Sequence, residues 1–210
     1  MKKRLQFSEI EYEVFGACDG SVIKPIWEKF GNSHFSNPSY LACAISHLSI
    51  YQDAIQKGYD KILILEDDVR CHYKVNQLMD GLGSEIPQDF ELLYLGFIPL
   101  TDDCSRWDYN VFGDRFITEN MFHAKNLWGL FSYGISSNLM KEILDTYSKT
   151  FPMELDRYFV TQIQKRGNSY GLLPQLFATE DGWSDNSKKM EVGLLQKSID
   201  IRFSNLTDYI

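Results

Sequence analysis

The run Lys61-Ile62-Leu63-Ile64-Leu65-Glu66-Asp67-Asp68-Val69-Arg70 constrains this chain more than any other stretch. Its apolar, mostly branched residues, Ile62 to Leu65, read as a strand buried on both faces. That strand ends abruptly in three carboxylates. Adjacent carboxylates repel one another, so they stay ionised together only where water, a cation or basic side chains take up the charge. Oxygen-only ligands suit Mg2+ or Mn2+, which keep several waters and share their shell with substrate phosphates. A nucleotide diphosphate is therefore the natural second guest, because ligands of open α/β sheets collect outside the carboxyl ends of the strands. The plain alternative is a solvated turn, since Asp-Asp is common there.

At 210 residues the chain is long enough for one well-buried core, and a single domain over residues 1–210 is expected. A hydrophobic content of 44% argues against disorder. The formal net charge of −8 argues against a nucleic-acid partner, and an anionic substrate would need a cation to offset that field. Cys18, Cys43, Cys71 and Cys104 form no Cys-x-x-Cys pair and no zinc spacing with a histidine, so they read as reduced thiols of a cytoplasmic protein. Met1-Lys2-Lys3-Arg4 resembles the start of a signal peptide, but Ser8, Glu9, Glu11 and Glu13 stand where its apolar core would be. No stretch is long and apolar enough to span a membrane, so any membrane contact would be peripheral, at the inner face.

Along the chain, Tyr12 to Phe15 alternate as a strand, Asp19-Gly20 makes a turn, and Ile23, Ile26, Trp27 and Phe30 recur at helical spacing. The clearest helix has Ser36 or Asn37 as N-cap, Pro38 in its first turn and Gly58 as its stop. Leu41, Ile45, Leu48, Gln52 and Ile55 mark its packing stripe, with Ala44 and Tyr51 beside it. His47 falls off the stripe and reads as a structural hydrogen-bonding residue. A short helix over Val75 to Leu82 and a core strand over Phe90 to Gly96 follow. Residues 97–115 read as a long surface loop, either a sugar-binding wall of aromatics and acids or an irregular connection. Strands are expected over Phe116 to Phe122 and Leu127 to Ile135, and helices through Leu139 to Tyr147 and Arg157 to Gln164. Glu154 and Asp156 suit the first turn of the last helix, which stops at Gly167. Leu172 to Phe177 reads as extended chain and Asp181 to Asp185 as a turn.

The order of these motifs carries a resemblance. Leu41 to Tyr51, followed by Ile62 to Val69, resembles the signature region of glycosyltransferase family 25, which includes bacterial lipooligosaccharide galactosyltransferases and collagen galactosyltransferases. Glu91 to Gly96, Trp128 to Ser136, Leu155 to Phe159, Pro174-Gln175-Leu176 and Ser184-Asp185 continue it in the same order. The resemblance implies a GT-A-like fold, a nucleotide-diphospho-sugar transferase architecture with a mixed α/β sheet flanked by helices. It also implies a metal-dependent, inverting transfer of a hexose, galactose first, from a UDP-sugar to a glycan, lipooligosaccharide or other glycolipid acceptor.

On that resemblance Mn2+ or Mg2+ would bridge the acidic turn and the donor diphosphate, with Asp68 as first ligand and Glu66 or Asp67 beside it. Asp156 is the candidate base for the acceptor hydroxyl, and Asp185 the reserve. His47, Glu66, Asp67 and Gln175 are carried over as donor-site residues. One departure stands out: the family opens with a strand of the type Val-x-Val-Ile-Asn-Leu, and this sequence begins about where that strand should have ended. In GT-A folds it helps to hold the nucleobase. A degenerate, non-catalytic member that binds carbohydrate or acts as a scaffold is therefore the competing expectation, and a metal-dependent phosphohydrolase a weaker third. A sheet edge left open there would favour pairing with a second copy.

Overall fold

The computed structural model describes residues 8, 10–31, 35, 37–103, 105–184, 189–191, 193–200 and 204–209. Asp19 accepts a hydrogen bond from the Ser21 amide and caps a short helix, Gly20–Ile26 (α1), which relaxes into a π-helical turn at Trp27–Gly31. Pro25, inside α1, removes one amide donor and makes such an irregularity expected. Asn37 caps Pro38–Gln56 (α2), its side-chain oxygen accepting from the amides of Ser39 and Tyr40. Pro38 sits where its missing amide is not needed. The chain leaves α2 through Gly58 at φ +76°, a conformation that an L side chain rarely adopts.

The described strands are Lys61–Leu65 (β1), Val69–Cys71 (β2), Leu92–Pro99 (β3), Met121–His123 (β4), Leu127–Ser136 (β5), Ser169–Leu172 (β6), Phe177–Thr179 (β7), Gly182–Ser184 (β8) and Lys189–Glu191 (β9). Five of them form a mixed sheet in the order β1-β5-β3-β6-β4, in which β3 and β6 are parallel and the other neighbours antiparallel. β2 pairs with β7 and β8 with β9 in two small ribbons. The remaining helices are Val75–Leu82 (α3), Ser137–Lys149 (α4), Leu155–Tyr158 (α5) and Leu194–Lys197 (α6). α5 continues as a π-helical turn, Phe159–Ile163, and a 3-10 turn, Gln164–Arg166, before Gly167 at φ +93° ends the run.

Two apolar clusters cover the two faces of the sheet. Leu41, Leu48 and Tyr51 of α2 join Ile64, Tyr133 and Ile135 of the sheet and Met140 and Ile143 of α4 in one. Val69, Leu82, Phe131 and Phe177 form the other. β3 feeds both by strand alternation, Leu92 and Tyr94 on one side and Leu93 and Leu95 on the other. Full burial of a Met or Ile side chain such as these stabilises by roughly 1.5–3 kcal/mol. The architecture is thus a mixed α/β fold with a five-stranded sheet flanked by helices, of the nucleotide-sugar transferase kind.

Several local expectations change. In β1 only Ile64 is buried, Lys61 being exposed and the other residues half-buried, because among the described strands β1 pairs with β5 alone and forms the sheet edge. The strand buried on both faces is β3, and it runs on to Pro99. Residues 97–115 are therefore not a surface loop throughout: a 3-10 turn at Tyr109–Arg115 drives Tyr109 and Phe112 into the core, where both ring-pack on Phe97. Tyr12 to Phe15 is irregular and exposed, and pairs with none of the described strands that could make use of its alternation. The Phe116 to Phe122 strand shrinks to β4, with Phe116 bridged to Phe122 across a turn. On α2, His47 is buried, because it faces Tyr133 of β5, and Gln52 is exposed.

Candidate active site

β1 sets the acidic turn in place. The Glu66 amide donates to the Phe131 carbonyl at 2.9 Å, which prolongs the pairing with β5 by one residue. The chain then turns through Asp67 and Asp68 into β2. Asp67 is exposed and Asp68 half-buried. Thr179 of β7 donates its hydroxyl to Asp68 Oδ2 at 3.1 Å, while Asp68 Oδ1 is buried with no hydrogen-bond partner among the described residues. Burial, and then the neighbouring Glu66 charge, push the Asp68 carboxyl up to about 6. A buried carboxylate oxygen without a donor is costly, and a bound cation would remove that cost.

A buried hydrogen-bond chain orients Glu66. His47 lies 4% exposed on α2, with Nε2 at 3.4 Å from Glu66 Oε1 and Nδ1 at 2.7 Å from the Tyr133 hydroxyl. The Tyr51 and Tyr133 hydroxyls are 2.6 Å apart. An ionised carboxylate only accepts, so Nε2 carries the proton toward Glu66 and Nδ1 accepts from Tyr133, which in turn accepts from Tyr51. One Glu66 oxygen is thereby engaged from within. Cys43, one helical turn before His47, completes a group in which a thiol, an imidazole nitrogen and a Glu66 oxygen lie within 4.8 Å of one another. Burial pushes the Cys43 thiol well above its usual range, so it favours the neutral form and is a poor match for a hard cation.

Glu66 and Asp156, ninety residues apart in sequence, line one cavity of about 160 Å3 together with Tyr40, Cys43 and Glu154. Gly129, Leu130 and Phe131 also line it, and α5 brings Asp156 in at its first turn. Burial is the main reason that the Asp156 carboxyl is pushed up to about 6. The hydrogen bond from the Arg157 amide opposes that, and the charges of Glu154 and Glu66 add to it. Gln175 is elsewhere: it is 1% exposed, its Oε1 accepts from the Tyr109 hydroxyl and its Nε2 donates to the Phe97 carbonyl. It braces the core and is not brought to this cavity. Asp185 lies outside the described residues.

The profile of glycosyltransferase family 25 (LPS biosynthesis protein) matches residues 1–159. The chain belongs to glycosyltransferase family 25. The family 25 match takes in α2, the acidic turn, β3, β5 and the start of α5, so His47, Glu66, Asp67, Asp68 and Asp156 all lie inside it. Procollagen galactosyltransferase 2 of Homo sapiens is 29% identical over 112 residues, which cover 46% of this chain and 18% of that protein. The Mus musculus protein of the same name is 28% identical over 112 residues, with the same coverage. The match therefore spans less than a fifth of the length of these relatives. Among the described residues, no helix is long and apolar enough to cross a membrane.

Cys43, Tyr133 and Thr179 were not singled out from the sequence. Cys43 had a readable signal, since it stands four residues before His47 and shares its helix face. Tyr133 and Thr179 had none, because strand pairing alone brings them to the turn.

Proposed function

We propose that this chain is a metal-dependent, inverting glycosyltransferase that moves a hexose, galactose first, from a UDP-sugar to a glycan or glycolipid acceptor such as a lipooligosaccharide. The observation that carries the reading is that Glu66, the first residue of the acidic turn, and Asp156 line one cavity. Asp156, poised near pH 6 by burial, takes the proton of an acceptor hydroxyl. That oxygen attacks the anomeric carbon on the face opposite the diphosphate, the bond to UDP breaks, and the configuration inverts. Asp68 and Glu66, with Asp67 at the exposed side, hold Mn2+ or Mg2+, and the orphaned Asp68 Oδ1 fits that role. When bound, the cation supplies positive charge to the leaving diphosphate. His47 keeps the Glu66 carboxylate aimed, through the chain that begins at Tyr51.

Calorimetric titration of UDP with Mn2+ tests the reading, beside a metal-free control and an Asp68→Asn variant. Saturable binding is expected with metal, and at least tenfold weaker binding in its absence and in the variant. UDP binding that ignores both metal and Asp68 would refute the assignment. A second reading, a non-catalytic carbohydrate-binding or scaffold member, draws on the position of β1 at the edge of the described sheet. Folded protein that binds a glycan but no UDP under any metal condition would favour it.

A further inference from the structure

A second cavity is larger than the one at Asp156. It encloses about 360 Å3 and is lined by Arg115, His123, Lys125, Asn126, Val160 and Lys165 among others, with no carboxylate in its wall. In a chain of net charge −8, three permanent cations around one cavity are a marked local reversal. Asp102 stands outside the wall and partly offsets them, at 2.8 Å from Lys125 Nζ and 3.5 Å from Arg115 Nη2. Lys165 makes no ion pair among the described residues. The arrangement is held by the backbone as well as by charge. Arg115 Nη1 donates to the Lys125 carbonyl, and His123 Nδ1 donates to the carbonyl of Gly167. Asn126 sits at φ +55°, a left-handed conformation that asparagine tolerates better than most side chains, with its amide donating to Asp102.

Position relates this cavity to the other. Val160 and Lys165 belong to the same helical run that begins at Asp156, and Asn126 precedes by three residues the Gly129 that lines the Asp156 cavity. Three residues of extended chain span about 10 Å, and the nine from Asp156 to Lys165 rise about 13 Å along a helix. The two cavities are therefore neighbours, joined by the segment that leads into β5 and by the 155–166 run.

We propose that the basic cavity is an acceptor subsite for an anionic group, phosphate or carboxylate, carried on a glycan whose reacting hydroxyl lies at Asp156. This rests on the transferase reading above. The acceptor would then be an acidic saccharide, read by Arg115, Lys125 and Lys165 while the acidic turn holds the donor. Arg115 supplies planar donors and the lysines mobile point charges, a combination that suits either anion.

Titrations of glucose 6-phosphate, glucuronate and neutral glucose into the 210-residue chain, freed of divalent metal by dialysis so that the acidic turn is silent, test the site directly. Saturable binding of at least one anion is expected, with glucose at least tenfold weaker. A Lys125→Gln/Lys165→Gln variant should weaken the anion at least tenfold; both side chains are exposed, so the fold should hold. A charge-matched Lys24→Gln/Lys149→Gln control should leave it unchanged. Preference for the phosphate arm or the carboxylate arm identifies the group. Absence of saturable anion binding, or equal loss in variant and control, overturns the inference whatever the UDP titration gives. Anion binding retained in a chain that binds no UDP overturns instead the transferase reading and, with it, the acceptor role.

Discussion

Asp156 is the residue on which the proposed chemistry turns, and its environment gives two independent readouts. A base must be ionised to act, so the pH profile of transfer should rise as pH climbs through about 6. Asp156→Asn should lower kcat by about 10²–10⁴-fold and abolish that limb. Stability moves the other way. The folded carboxyl titrates above the ordinary 3.8, so the unfolded chain loses this proton first, and the folded state loses stability as pH rises from 3.8 through about 6. Thermal melts of Asp156→Asn should therefore match wild type near pH 4 and lie above it at pH 7. A variant that melts lower at pH 7 would mean that the carboxylate is a structural partner instead. Glu66 differs from Asp156 in kind: its orientation comes from His47 and two tyrosines, all of them buried.

The acidic turn depends on how β7 meets the sheet. β2 and β7 form a ribbon rather than extra strands of the sheet, and the Leu176 amide donates to the Leu95 carbonyl to fasten the approach to β7 against β3. Gly96 permits that approach. A Cβ there would lie 2.4 Å from the Phe177 carbonyl oxygen and 2.5 Å from the Phe131 ring, and the first of these is backbone that cannot swing aside. Gly96→Ala should therefore destabilise the fold by about 1–3 kcal/mol and loosen Thr179 from Asp68. Thermal denaturation with and without Mn2+ and UDP measures both: a lower midpoint, and a smaller stabilisation by ligand. An unchanged midpoint would show that the close approach carries no weight.

Two apolar clusters on opposite faces of one sheet share β3 and β5, so neither can open without exposing the other. A single cooperative unfolding transition is expected, with far-UV circular dichroism and tryptophan fluorescence coincident in urea. Two separated transitions would mean that residues 1–210 are not one folding unit. The charge map of the molecule is equally divided: an acidic turn at the carboxyl end of β1, and a basic cavity beyond the start of β5, in a chain that is acidic as a whole. On the proposed reading, the cation-binding donor site and the anion-reading acceptor subsite are kept apart in this way.

Much of the frame was legible before any coordinates. Asn37-Pro38 and Gly58 bound α2, Ile62 to Leu65 ending in Glu66-Asp67-Asp68 marks β1 and its turn, and Gly167 stops the 155–166 run, because caps, glycines and apolar periods act within a few residues of themselves. Tertiary structure decided the rest. No local pattern tells that β1 lies at the edge while β3 is central, since an apolar run reads alike in both places. None tells that Tyr109 and Phe112 turn inward, that Gln175 spends its amide on Tyr109 and Phe97, or that His47 is buried against Tyr133. Those outcomes depend on partners as far as 86 residues apart in the chain, and such pairings are chosen by the packing of the whole sheet, not by neighbours in sequence.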